Sequence, residues 1–204
     1  MLTNDQGDTD KLSILVEDAK NFGIEVLRPD INESQLTFAP AGNGEVIRFG
    51  LAAIKGVGEG AVEGILAARE NGGPFESIYD LCERVDGRAV NRKVLEALIR
   101  SGACDGLPEN RATLFAQIDS ALARASAIEK DRAQGQTSLF DMMEDQPLEI
   151  PKVPEVPEWP ERDRLKQEKE LLGFYVSGHP FEPYEALAKG LRHHTLEALA
   201  NAPN

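Results

Sequence analysis

Ile47-Arg-Phe-Gly-Leu-Ala-Ala-Ile-Lys-Gly-Val-Gly-Glu-Gly-Ala-Val62 decides how this chain is to be read. Phe49, Leu51 and Ile54 form a short apolar helical pattern that runs into Gly56-Val57-Gly58. A second amphipathic pattern, Ala61, Val62, Ile65 and Leu66, follows at once. The spacing predicts two helices joined by a tight turn. Glycines can take positive φ in such a turn, and they carry no side chain to keep an anion away from backbone N–H groups. The second helix would point its N-terminus, with free amides and the positive dipole end, at that anion. Lys55, Gly56, Val57, Gly58 and Gly60 are therefore the candidate phosphate-binding residues. A GxGxxG dinucleotide loop is excluded, because the spacing differs and no strand precedes the glycines.

Working outward, residues 10–22 carry Leu12, Leu15, Val16, Ala19 and Phe22 on one helical face, with Gly23 as the stop. Ile24-Glu-Val-Leu27 reads as a short strand ended by Pro29. Leu36-Thr-Phe38 and Glu45-Val-Ile-Arg48 flank Ala41-Gly-Asn-Gly44 as a β-hairpin. Residues 51–127 read as helical throughout, with segments near 60–70, 77–85, 91–100 and 109–127. Ser101-Gly-Ala-Cys-Asp-Gly-Leu-Pro108 joins the last two of these and makes a second helix-turn-helix unit. The expected fold is mainly α: a tandem helix-hairpin-helix domain preceded by a small α/β element and followed by a Pro-rich linker and short helices. The second turn lacks Gly-x-Gly, which weakens its case as a phosphate site. Gly102 and Arg111 are its candidate DNA contacts.

The 204 residues carry a formal charge of −13, which excludes a freestanding, generally basic DNA-binding protein. The excess negative charge lies in both flanks. The middle is close to neutral and holds Lys55, Arg69, Arg84, Arg88, Arg92, Lys93, Arg100 and Arg111, so a DNA-contacting face belongs there. Two cysteines, Cys82 and Cys104, without CxxC spacing or a histidine pair, read as buried thiols of a reducing compartment. The expected location is cytoplasmic, with no membrane span and no signal peptide. The sequence shows no catalytic centre and no metal cluster, so no cofactor is expected beyond a cation at the first turn.

Gln136, Thr137, Ser138, Leu139 and Phe140 stand in an acidic stretch with no core to join. Adjacent large apolar residues in such surroundings mark a docking peptide. Five of the twelve prolines then fall in residues 147–160, the pattern of an extended linker. A charged helix over 161–172 leads to Gly173-Phe-Tyr-Val-Ser-Gly-His-Pro-Phe181. The chain ends in a helical patch without stop signals, as a piece of something longer would.

In combination and in order, four stretches resemble the bacterial DNA polymerase III alpha-subunit family, the family C replicative polymerases. They are Gly23-Ile-Glu-Val-Leu-Arg-Pro-Asp-Ile-Asn-Glu-Ser34, the opening stretch to Gly58, Ser101-Gly-Ala-Cys-Asp105, and Lys169-Glu-Leu-Leu-Gly-Phe-Tyr-Val-Ser-Gly-His-Pro180. The resemblance implies that residues 1–50 end a fingers domain and that 51–127 are a tandem helix-hairpin-helix domain binding duplex primer–template DNA. It also implies a clamp-binding segment and linker over 128–160, and a helical connection toward an oligonucleotide-binding domain over 161–204. Residues 136–140 fall where the family carries its sliding-clamp peptide, of the pattern Gln, two variable residues, Leu and Phe. Cys104 stands where an aromatic is more usual. The Mg-dependent palm, and the regions that would join other replicase subunits, have no counterpart in these residues. A stand-alone clamp-tethered adaptor and a purely structural helical domain are the alternatives.

Overall fold

A computed structural model describes residues 9–133, 155–184 and 187. Helix α1 (Thr9–Asn21) buries Leu12, Val16 and Ala19, one stripe at i, i+4 and i+7. Phe22, expected on that stripe, is 83% exposed. The helix ends one residue before it, and Gly23 at φ +77° turns the chain away. Three short strands follow: β1 (Glu25–Leu27), β2 (Ala39–Ala41) and β3 (Val46–Arg48). The order is β1-β3-β2, with β1 parallel to β3 and β2 antiparallel to it. The hairpin is present, but its first arm lies at 39–41, not at the expected 36–38. Pro40 opposes Ile47 in that arm. It is accommodated because β2 is an edge strand and needs only one of its two rows of hydrogen bonds.

Five further helices complete the described fold: α2 (Glu59–Gly72), α3 (Ile78–Arg84), α4 (Arg92–Arg100), α5 (Arg111–Ala133) and α6 (Glu161–Leu172). The helix expected before Gly56 is reduced to one 3-10 turn, Leu51–Ala53. It stops at Ile54, which takes extended angles of φ −74° and ψ 122°, and its first amides are satisfied from outside: Leu51 N–H donates to Gln35 and Ala52 N–H to Leu36, at 3.0 and 3.1 Å. Gly50 locks this junction, since a Cβ there would lie 2.4 Å from the Thr37 carbonyl carbon. Phe49, Leu51 and Ile54 are buried as the apolar pattern required. At the other end, α5 outruns the expected stop at 127. Ile128-Glu-Lys-Asp-Arg-Ala133 contains no breaker, and good helix formers carry the helix past its apolar stripe.

Helices α3 and α4 pack on α5, while α6 packs between α1 and α4. One hydrophobic core runs through these elements, from Leu12 through Phe49, Leu95 and Leu114 to Leu172. The α6 end closes on the first glycine turn directly, with Lys55 N–H donating to the Leu171 carbonyl at 3.0 Å. Leu95 and Leu98 are fully buried, positions where truncation to Ala typically costs about 2–5 kcal/mol. The turn at residues 55–58 is therefore mounted on a rigid base.

Candidate nucleic-acid interface

The first turn is built around one obligatory glycine. Gly56 sits at φ +90°, a conformation that side chains strain to adopt. Val57 between the glycines is 6% exposed and anchors the turn in the core, whereas Lys55, Gly56, Gly58, Glu59 and Gly60 are all exposed. Gly58 is different in kind from Gly56. It is the N-cap of α2 with ordinary extended angles, φ −81° and ψ 154°. A Cβ at Gly58 or at Gly60 would meet nothing within 4 Å. Neither backbone conformation nor packing asks for glycine at these two positions. What their smallness leaves is open access to the amides.

Those amides are free. Val57 N–H donates to Ile54 at 3.0 Å, and Ala61 and Val62 N–H both donate to the Gly58 carbonyl, at 3.0 and 3.2 Å. The N–H groups of Gly56, Gly58, Glu59 and Gly60 donate to no group among the described residues. The neighbouring helices handle the same problem with their own side chains. Ser77 Oγ accepts from Asp80 N–H at the head of α3. Asn91 Oδ1 accepts from Lys93 and Val94 N–H at the head of α4. At the head of α5, Asn110 Oδ1 accepts from Thr113 N–H at 2.8 Å, and the Glu158 carboxylate accepts from Arg111 and Ala112 N–H, each at 3.2 Å. Helix α2 begins with no side-chain cap, so its first amides are left for solvent or a ligand.

The second turn is closed. Gly102, at φ +83°, is buried, and a Cβ there would lie 2.4 Å from Arg111 Nη2. Arg111 is 2% exposed. Its Nε and Nη2 donate to the two oxygens of Asp105, both at 2.7 Å, and its Nη1 lies 2.9 Å from Glu168 Oε1. Both residues expected to contact DNA at this turn are thus interior. Burial alone would depress the Arg111 charge, but Asp105 and Glu168 outweigh it and hold the guanidinium protonated. Burial likewise pushes Glu168 up. The Ser177 hydroxyl and amide, Arg111 and the Val176 amide outweigh that and hold its carboxyl below the usual range. Asp105 within the turn was the available signal for this pairing. Nothing local in the sequence pointed to Glu168 or Glu158.

The basic residues of the middle segment divide in two. Arg69 donates to the carbonyls of Ile31 and Ser34, and Arg84 to those of Ala68 and Gly73, so these two brace loops. Arg92 holds Glu96 and Asp119, and Arg100 reaches Glu170 at 3.3 Å. Lys55, Arg88 and Lys93 are exposed and their side chains pair with nothing described. Residues Gln136 to Phe140 lie outside the described residues. Among those described, no His, Cys, Asp and Glu group could hold a metal ion, and no helix is long and apolar enough to cross a membrane.

The helix-hairpin-helix motif family matches residues 23–114. DNA polymerase III subunit alpha of Neisseria meningitidis serogroup B is 48% identical over 183 residues, 90% of this chain and 16% of that protein. The Vibrio cholerae subunit is 44% identical over 90% of the chain, and the Pasteurella multocida subunit 38% identical over all of it. The chain is homologous to one segment of the DNA polymerase III alpha subunit. It spans about one sixth of the length of these relatives, 16–17%. The helix-hairpin-helix assignment fits DNA binding, and its uncapped member is the turn at Gly56-Val57-Gly58.

Proposed function

We propose that this chain is the duplex-holding and clamp-docking portion of a bacterial replicative DNA polymerase, acting in the cytoplasm on chromosomal DNA. The first turn grips a backbone phosphate with the amides of Gly56, Gly58 and Gly60, with Lys55 beside it and room for a cation. The grip carries no sequence information, because it contacts phosphate and no base edge. The observation that supports it most is the uncapped N-terminus of α2, flanked by two glycines that the fold does not need. Glu59, exposed in the first turn of α2, opposes the phosphate and keeps the grip weak.

Gln136-Thr-Ser-Leu-Phe140 is the second handle, a peptide docking on the sliding clamp. Such a peptide buries little area and binds weakly alone, since interfaces under ~1,200 Å² usually do. Tethering raises its effective concentration to the order of mM once the hairpin holds the DNA that the clamp encircles. Processivity then comes from two weak grips on one assembly, and nucleotidyl transfer belongs to parts of the polymerase outside these residues.

Fluorescence anisotropy on two primed duplexes of unrelated sequence tests the first handle. Equal affinities that fall with salt are expected, whereas a strong preference for one sequence would contradict a backbone grip. For the second handle, Leu139→Ala with Phe140→Ala should abolish capture by immobilised clamp, and undiminished capture would refute the peptide's role.

A further inference from the structure

We infer that the second contact with the DNA backbone is made by Lys93 at the head of α4, and not by the second glycine turn. This rests on the reading of the first turn as a phosphate grip. Two independent observations carry it. At the second turn the anion position is already filled: the Glu158 carboxylate takes Arg111 and Ala112 N–H, while Asn110 takes Thr113 N–H through its side chain and Leu114 N–H through its carbonyl. The segment that delivers Glu158 is held in place. Val156 N–H donates to Thr113 Oγ1 at 2.9 Å, Asn110 Nδ2 donates to the Val156 carbonyl at 2.9 Å, and Trp159 packs edge-on against Phe115. A phosphate approaching α5 would meet a fixed negative charge where it would have to bind.

At the first turn the opposite holds. A Cβ at Gly56 would lie 3.9 Å from the Ala97 methyl, so α4 runs directly beside the turn. Lys93 precedes Ala97 by four residues and shares its face, about 6 Å along the helix axis. It is exposed and pairs with no described side chain. Glu96, three residues on along α4, and Asp119 of α5 are both held by Arg92. The charged residues of the glycine turn and the first turns of α2 are Lys55, Glu59 and Glu63, all exposed. The ligand that fits an uncommitted ammonium beside a row of free amides is a second phosphodiester of the strand gripped at Gly58, recognised without regard to base.

Affinity for a labelled primed duplex, measured across a KCl series, tests this with the full 204-residue chain. Lys93→Ala should weaken binding several-fold and lower the slope of log K against log salt by roughly 0.9, the loss of one phosphate contact. Glu158→Gln, which keeps an acceptor oxygen on the α5 amides, should leave affinity and slope unchanged. Gly58→Val should weaken binding on its own. If Gly58→Val weakens binding but Lys93→Ala does not, the Lys93 contact is wrong and the grip stands. Unchanged binding in both variants would remove the grip itself. A rise in affinity and slope for Glu158→Gln would show the second turn to be a DNA site that Glu158 masks, which overturns the inference.

Discussion

Arg111 Nη1 lies 2.9 Å from Glu168 Oε1, and the two side chains are 3% and 1% exposed. Through this pair the head of α5 is tied to α6, and Glu168 passes the tie on to the Val176 and Ser177 amides at 3.1 and 3.0 Å. Arg28 reaches the far side of the network at Asp105, at 3.1 Å. An arginine that looked like a DNA contact is a structural hub joining three stretches far apart in the chain.

Removing one member should leave an uncompensated buried charge. Arg111→Ala is expected to lower unfolding free energy by about 3–5 kcal/mol in urea titration. Arg111→Met combined with Glu168→Met should cost less than the two single changes together, because the pair is then absent as a pair. A loss below about 1 kcal/mol for Arg111→Ala would contradict the buried geometry.

The contacts that outweigh burial at Glu168, from Ser177 first and Arg111 after it, set an acid limit. Glu168 is held below its ordinary value near 4.5 in the folded chain. Its contribution to stability is therefore present above that ordinary value and is lost as pH falls through the lower folded value. Urea midpoints of the native chain should drop on acidification below about pH 4.5 more steeply than those of Glu168→Gln. Parallel pH profiles for the two proteins would count against the assignment.

Burial pushes the Cys82 thiol up to about 12, with Glu83 adding to it. Cys104, fully buried beside Asp105 and Asp30, is pushed up further by burial first and those charges second. Thiolate is the reactive form, so neither cysteine should react with a disulfide reagent at pH 8 in the native state, and both should react after unfolding. Rapid labelling of the folded protein would show one of them to be open to solvent.

The two glycines of the first turn should separate under substitution. Gly56→Ala forces a side chain into φ +90° and is expected to cost about 1–3 kcal/mol in thermal or urea unfolding. Gly58→Ala fits φ −81° and open space, so its stability should stay within about 0.5 kcal/mol of the parent chain. Equal losses at both positions would mean that Gly58 serves the fold after all.

Local pattern made much of this fold legible. The stripe of Leu12, Val16 and Ala19, the run Val94, Leu95, Leu98 and Ile99, and the glycine turn all follow from spacing within a few residues. Long-range partners set what was not legible. The 3-10 turn at Leu51–Ala53 is anchored to carbonyls at Gln35 and Leu36, far from it in the chain, and the hairpin arm lies at 39–41, where an edge strand tolerates Pro40. A charge count placed Arg111 on a DNA face, but only the fold brings Glu168 and Asp105 to it. Likewise Glu158, set among prolines, read as linker until the fold put its carboxylate on the α5 amides.

The affinity of the Gly58→Val chain for a primed duplex at low salt tests the backbone grip most directly, measured beside circular dichroism to verify the fold. A branched side chain over the free amides of Gly58, Glu59 and Gly60 is expected to weaken binding tenfold or more, the scale of one lost charge-assisted contact of about 1.5–3 kcal/mol. A folded Gly58→Val chain that binds as tightly as the parent would place the DNA elsewhere on the molecule.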